Sequence, residues 1–105
     1  MYNIKDFKGG WFIGNFEPTL LKTSEFEVAY KSYSKGQSEN RHLHKIATEY
    51  TLIIEGEVLM NNVKYYDGDI IIIKPNQSTD FKAIKDTKTL VVKLPSVSND
   101  KYLIK

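Results

Sequence analysis

The only two histidines of this 105-residue chain stand one residue apart, at His42 and His44. Two histidines dropped at random into such a chain would take this spacing about one time in 50. On a β-strand, residues i and i+2 share a face, with backbones about 6.6 Å apart. Their imidazoles can then lean together onto one metal ion, each at roughly 2.0–2.1 Å. Glu49 follows five residues after His44, and a short hairpin through 45–48 would bring its carboxylate back to the pair. Two imidazoles and one carboxylate make a three-ligand site with open positions for water or substrate, suited to Fe(II), Mn, Ni, Zn or Co. The plain alternative is an exposed histidine pair with a surface glutamate. A glutamate buried on a strand face without a partner would be costly, so burial of Glu49 would itself argue for a counter-charge such as a metal.

The elements that must position these residues read as strands. Phe26–Tyr33 mixes aromatic, β-branched and charged residues as a half-buried strand does. In Ala47–Glu55, Glu49, Thr51 and Ile53 share one face, and Tyr50, Leu52 and Ile54 the other. Glu57–Met60 and Val63–Tyr66 flank Asn61-Asn62, a pair that tolerates positive φ and predicts a tight hairpin turn. Asp67-Gly68 is the next turn signal. Ile70–Ile73 is a continuous β-branched run, expected of a strand buried on both faces. Thr79–Ala83 and Thr87–Leu94 complete the series. No segment holds a 3.6-residue apolar period for ten residues, and 20–27 could carry a helical turn at most. Many short strands with turn residues between them predict an all-β sandwich or closed barrel. The expected organisation is one domain over 1–105, with an N-terminal arm over 1–25, a barrel core over 26–94 and a tail over 95–105. Tyr102, Leu103 and Ile104 are candidates to anchor that tail.

Composition narrows the function classes. There is no cysteine, which excludes disulfides, thiolate metal sites and a cysteine nucleophile, and favours the cytoplasm. The first residues lack an apolar signal core, and the longest apolar run is far short of a membrane span, so no membrane partner is expected. Net charge is +2, the basic residues are scattered, and Arg41 is the sole arginine. A nucleic-acid partner would call for a basic stripe, and none is present.

The run Gly36-x5-His42-x-His44-x4-Glu49-x6-Gly56 resembles the first motif of the cupin superfamily at every fixed position. The resemblance spans 21 residues, and the strand pattern from about Phe26 to Leu94 follows the same layout. It implies a small jelly-roll barrel with a divalent metal inside, held by His42, His44 and Glu49. The second cupin motif, Gly-x5-Pro-x-Gly-x2-His-x3-Asn, is matched only in part. Six residues separate Gly68 from Pro75, the second glycine falls on Gln77, the histidine on Asp80 and the asparagine on Ile84. Asp80 is therefore a candidate fourth ligand, a candidate catalytic carboxylate beside the metal, or a surface residue.

Around the metal, Arg41, Tyr33 and Gln77 are the candidate substrate-binding residues. Arg41 and Lys45 bracket the histidines and could receive a ligand carboxylate or phosphate, although alternation on a strand equally allows both to be solvated. Lys93 would offer an amine if it faced inward. Trp11, Phe12 and Phe16 belong to an arm that packs on the barrel, on a partner, or over a ligand pocket. Two functional classes follow. One is a metalloenzyme of dioxygenase or isomerase type acting on a small polar molecule, a sugar derivative or carboxylic acid. The other is a non-catalytic ligand-binding or sensing module with a structural or vestigial metal. Beside these two stands a purely structural alternative, a cupin-like barrel without metal that serves as an assembly partner. The apolar arm and strands also lead us to expect a homodimer.

Overall fold

A computed structural model describes residues 1–104 of the chain. Ten strands follow two short 3-10 turns at Ile4–Asp6 and Lys8–Gly10. They are β1 (Trp11–Ile13), β2 (Glu27–Tyr33), β3 (Ser38–His44), β4 (Thr48–Glu55), β5 (Glu57–Met60), β6 (Val63–Tyr66), β7 (Ile70–Ile73), β8 (Thr79–Ala83), β9 (Thr87–Leu94) and β10 (Lys101–Leu103). They form two five-stranded sheets, ordered β1-β2-β9-β4-β7 and β10-β3-β8-β5-β6, with every pairing antiparallel. The first and last strands extend the two sheets: β1 extends one along β2, and β10 extends the other along β3. Within the expected tail, Lys101–Leu103 pairs by backbone with His42–His44.

The Asn61-Asn62 turn has φ of 49° and 64°, the left-handed pair that a two-residue hairpin requires, and it joins β5 to β6 as the sequence predicts. Two expectations change. First, β7 is not buried on both faces. Ile71 and Ile73 point into the core, whereas Ile70 and Ile72 are 64% and 51% exposed, because β7 is the edge of its sheet and only one face meets the opposing sheet. Second, β3 and β4 are not a hairpin. They lie in different sheets, and residues 45–47 arch from one to the other.

The core fills one end of the sandwich with Ile53, Val58, Met60, Ile71, Ile73, Phe81 and Ala83, flanked by Tyr33 and Tyr65. Full burial of Ile53 and Val58 contributes on the order of 2 kcal/mol each. At the other end many inward positions are polar, and a cavity lies between the sheets. Among the described residues, no helix is long and apolar enough to cross a membrane.

Candidate functional site

The cavity has a volume of about 400 Å³, and His42, His44 and Glu49 all line it. His42 and His44 come from β3 and are 8% and 4% exposed, with ring centroids 5.3 Å apart. Glu49 comes from the opposite sheet, so the arch carries the chain across the cavity and the three side chains line it from two walls. His44 Nε2 lies 3.7 Å from Glu49 Oε1. That is too long for a hydrogen bond. It is close to the roughly 3–3.6 Å that separates two donor atoms each bound at about 2.1 Å to one ion.

The histidine tautomers follow from their partners. His42 Nδ1 lies 3.0 Å from the Asn40 carbonyl, and His44 Nδ1 lies 3.0 Å from the Asp100 carbonyl. A carbonyl only accepts, so each Nδ1 carries the proton and each Nε2 is left with its lone pair. This is the tautomer a metal takes, fixed by the kind of outer hydrogen bond that orients ligating histidines. Burial, with Lys93 adding to it, holds the His44 imidazole below its ordinary pKa against the pull of Glu49. Thr51 Oγ1 donates to Glu49 Oε2 at 2.9 Å, which orients the carboxylate. The donor chemistry therefore fits a divalent ion. As the side chains stand, however, no three His, Cys, Asp or Glu groups among the described residues close into a ready cage.

The arch is held by Asp100. This carboxylate, 5% exposed, accepts from the N–H groups of Lys45 (3.0 Å), Ile46 (3.1 and 3.2 Å) and Ala47 (2.9 Å). Burial alone would raise its pKa, but those three donors outweigh burial and hold it below the usual carboxylate range. The same residue's backbone oxygen fixes His44, so the C-terminal segment positions the histidine twice.

Of the substrate-binding candidates, Tyr33 lines the cavity. It stacks on Phe81 with centroids 4.5 Å apart and donates to Glu39 Oε1 at 3.4 Å. Burial, and then Glu39, push its phenol far above the ordinary tyrosine value, so it stays protonated. Arg41, Gln77 and Asp80 do not line the cavity. Arg41 points to the other side of β3, where its guanidinium meets Asp80 at 3.1 Å and Ser78 at 3.1 Å. Gln77 caps the turn after β7 by accepting from the Lys74 N–H. Asp80, with its side chain 46% exposed, takes Arg41 and the Asn61 N–H at 2.8 Å. The direct-ligand and catalytic roles for Asp80 do not accord with this position, which matches the surface alternative. The reason is strand parity: Thr79 and Phe81 take the inward positions of β8, and Thr79 stands opposite His42. Lys45 lies over the Tyr102 ring at 4.2 Å.

The cavity also holds Glu39, Glu27 and Lys31, which the sequence did not single out, and Lys93, which it singled out on condition of facing inward. Glu39 has the wrong parity to share a face with His42, yet it lines the cavity. A β-bulge makes the difference: Glu39 opposes Phe81 and His42 opposes Thr79, so three steps on β3 match two on β8. On the facing sheet, Glu27, Lys93 and Glu49 form one cross-strand row. Lys93 faces inward, pairs with Glu27 Oε2 at 3.4 Å and lies 5.0 Å from the Trp11 ring centroid. Lys31 faces inward two residues beyond Ala29. Alternation could have grouped Glu27, Lys31 and Tyr33 on one face of β2, but not said which face was inside.

No family model matches the chain, and no curated protein matches it by sequence. Solved structures do match its fold. A conserved double-stranded β-helix protein of Klebsiella pneumoniae superposes with a TM-score of 0.72 at 19% identity, over 98% of this chain and 89% of that one. A cupin-2 domain protein of Shewanella frigidimarina gives 0.59 at 14% identity, over 67% and 71%. The DMSP lyase DddQ of Ruegeria pomeroyi gives 0.73 at 17% identity, over 89% of this chain and 49% of the enzyme. The fold is therefore that of a small cupin domain, a double-stranded β-helix of two antiparallel sheets.

Proposed function

We propose that the cavity is a divalent-metal site held by His42, His44 and Glu49, and that the protein is a metalloenzyme acting on a small polar substrate, a sugar derivative or carboxylic acid. The observation that carries this is the pair of buried imidazoles, each with Nδ1 tied to a backbone carbonyl and Nε2 free, lining one cavity with Glu49. A bound divalent ion would polarise a substrate oxygen there. Tyr33 and Glu39 supply a protonated phenol beside a carboxylate, two groups able to hold and pass a proton. This couple favours isomerase-type proton transfer over the dioxygenase alternative, and it takes the acid–base role that the sequence suggested for Asp80. The DMSP lyase adds an enzyme to the structures of this fold, at the level of analogy.

The test is metal uptake. Zn(II), Mn(II) or Ni(II) should bind one per chain by calorimetry, and His42→Ala, His44→Ala or Glu49→Ala should each weaken binding at least about tenfold. Binding that survives all three substitutions would remove the proposal. A non-catalytic sensing module is the second reading, favoured by the incomplete second motif, whose histidine position falls on the outward-facing Asp80. It predicts ligand retention with no turnover and no dependence on Glu39.

The proposal also includes a homodimer. The outer face of the β2-β9-β4-β7 sheet exposes Tyr50, Ile54, Ile70 and Ile72, and its charges Glu55 and Lys88 pair with each other at 2.9 Å. A second copy could cover this face symmetrically without charge repulsion. Light scattering should give a dimer mass that Ile72→Lys reduces to a monomer, and a wild-type monomer at micromolar concentration would contradict it. The cysteine-free composition supports a cytoplasmic location, which cell fractionation would check.

A further inference from the structure

Among the cavity's buried and half-buried polar side chains, Thr89 and Lys31 have no hydrogen-bond or ion-pair partner among the described residues. Thr89 is 1% exposed, and its Oγ1 has no hydrogen-bond partner among the described residues. Lys31 stands opposite Thr89 in the β2–β9 register, and both line the cavity. Unlike Lys93, the Lys31 ammonium has no ion pair among the described residues. It lies 5.3 Å from the Trp11 ring centroid, a contact that attracts a cation without neutralising it. Burial lowers its pKa, Glu39 and Glu49 oppose that, and Lys101 and Lys93 add to it. A charge in this position gains from an incoming anion.

We propose that Lys31 and Thr89 form a carboxylate-binding subsite, the ammonium donating to one oxygen of a small carboxylate ligand and the Thr89 hydroxyl to the other, with the Trp11 indole as its wall. A monocarboxylate suits the site better than a phosphate dianion, because Glu27, Glu39 and Glu49 already line the same cavity. The subsite deepens the proposed function by naming the anionic end of its ligand, and it rests on the cavity being a ligand site.

The test is a heteronuclear NMR titration of the metal-free protein with lactate and with its neutral analogue lactamide. Lactate should shift the Thr89 methyl and the Lys31 and Thr89 amide signals and saturate in the millimolar range, whereas lactamide should not. Lys31→Met should weaken lactate binding about tenfold, and Thr89→Val about threefold. Equal binding of lactamide, or undiminished lactate binding by Lys31→Met, overturns the subsite. Inorganic phosphate displacing lactate at lower concentration overturns the carboxylate class. The lactate–lactamide contrast in the unaltered protein keeps the test open should a variant misfold. Zinc titration of Lys31→Met separates the two proposals. Intact zinc uptake with no lactate site removes only this inference. A lactate site with no zinc uptake by the unaltered protein removes only the metal reading.

Discussion

Asp100→Ala is expected to loosen the site without touching a cavity side chain. The wild-type carboxylate takes three backbone N–H groups of the arch at 2.9–3.2 Å. Hydrogen bonds to a charged group are worth roughly 1.5–3 kcal/mol each, and the exposed side of the arch allows water to replace part of the loss. Three bonds at the low end give a destabilisation of about 4 kcal/mol. Asn keeps one acceptor oxygen but not the charge, so Asp100→Asn should lose about half of that. The pH dependence follows from the lowered carboxyl pKa. A folded value below the unfolded one, about 3.9, contributes stability that is fully present above the unfolded value and lost as pH falls through the folded one. Urea denaturation of metal-free wild type and variant should therefore show the full gap at pH 7 and a narrowing gap below about pH 4. The variant should also bind zinc more weakly, because the Asp100 carbonyl that fixes His44 Nδ1 moves with the arch. A gap below about 1 kcal/mol, or one that stays constant down to pH 3, would refute the assignment of this carboxylate as the lock of the arch.

The metal-dependent rise in melting temperature should be full at neutral pH and fade in acid. The His44 value is lowered by burial, so the fade should begin below the ordinary imidazole range of about 6.5, whereas the metal-free protein should lose stability from about 6.5 downward until the folded imidazole protonates. Calorimetric melts from pH 8 to pH 5 check both trends. Asp80→Asn should leave zinc affinity within about twofold of wild type, since the side chain faces Arg41 and solvent; a tenfold loss by titration would return Asp80 to the site. Gly56→Ala should cost about 3 kcal/mol or prevent folding. Its φ is +120°, and a Cβ there would fall on Thr87 Oγ1 and lie 2.8 Å from the Asp86 carbonyl; an unchanged urea midpoint would contradict this.

The sequence determined the strands and much of their facing, because side chains alternate strictly along an extended backbone. That alone grouped Glu49 with Thr51 and Ile53, paired His42 with His44, and marked Asn61-Asn62 as a turn. It could not decide which sheet each strand joins. The expected β3–β4 hairpin is an arch because β3 finds β8 and β10 as partners while β4 finds β7 and β9. Nor could it foresee departures from alternation. The bulge that turns Glu39 inward depends on how β3 and β8 register, and the inward place of Thr79 rather than Asp80 depends on the loop before β8. Lys31 and Lys93 look like solvated lysines in one dimension. Only the packing of two sheets makes their face the inside, since burial is a property of what lies opposite and no local pattern records it.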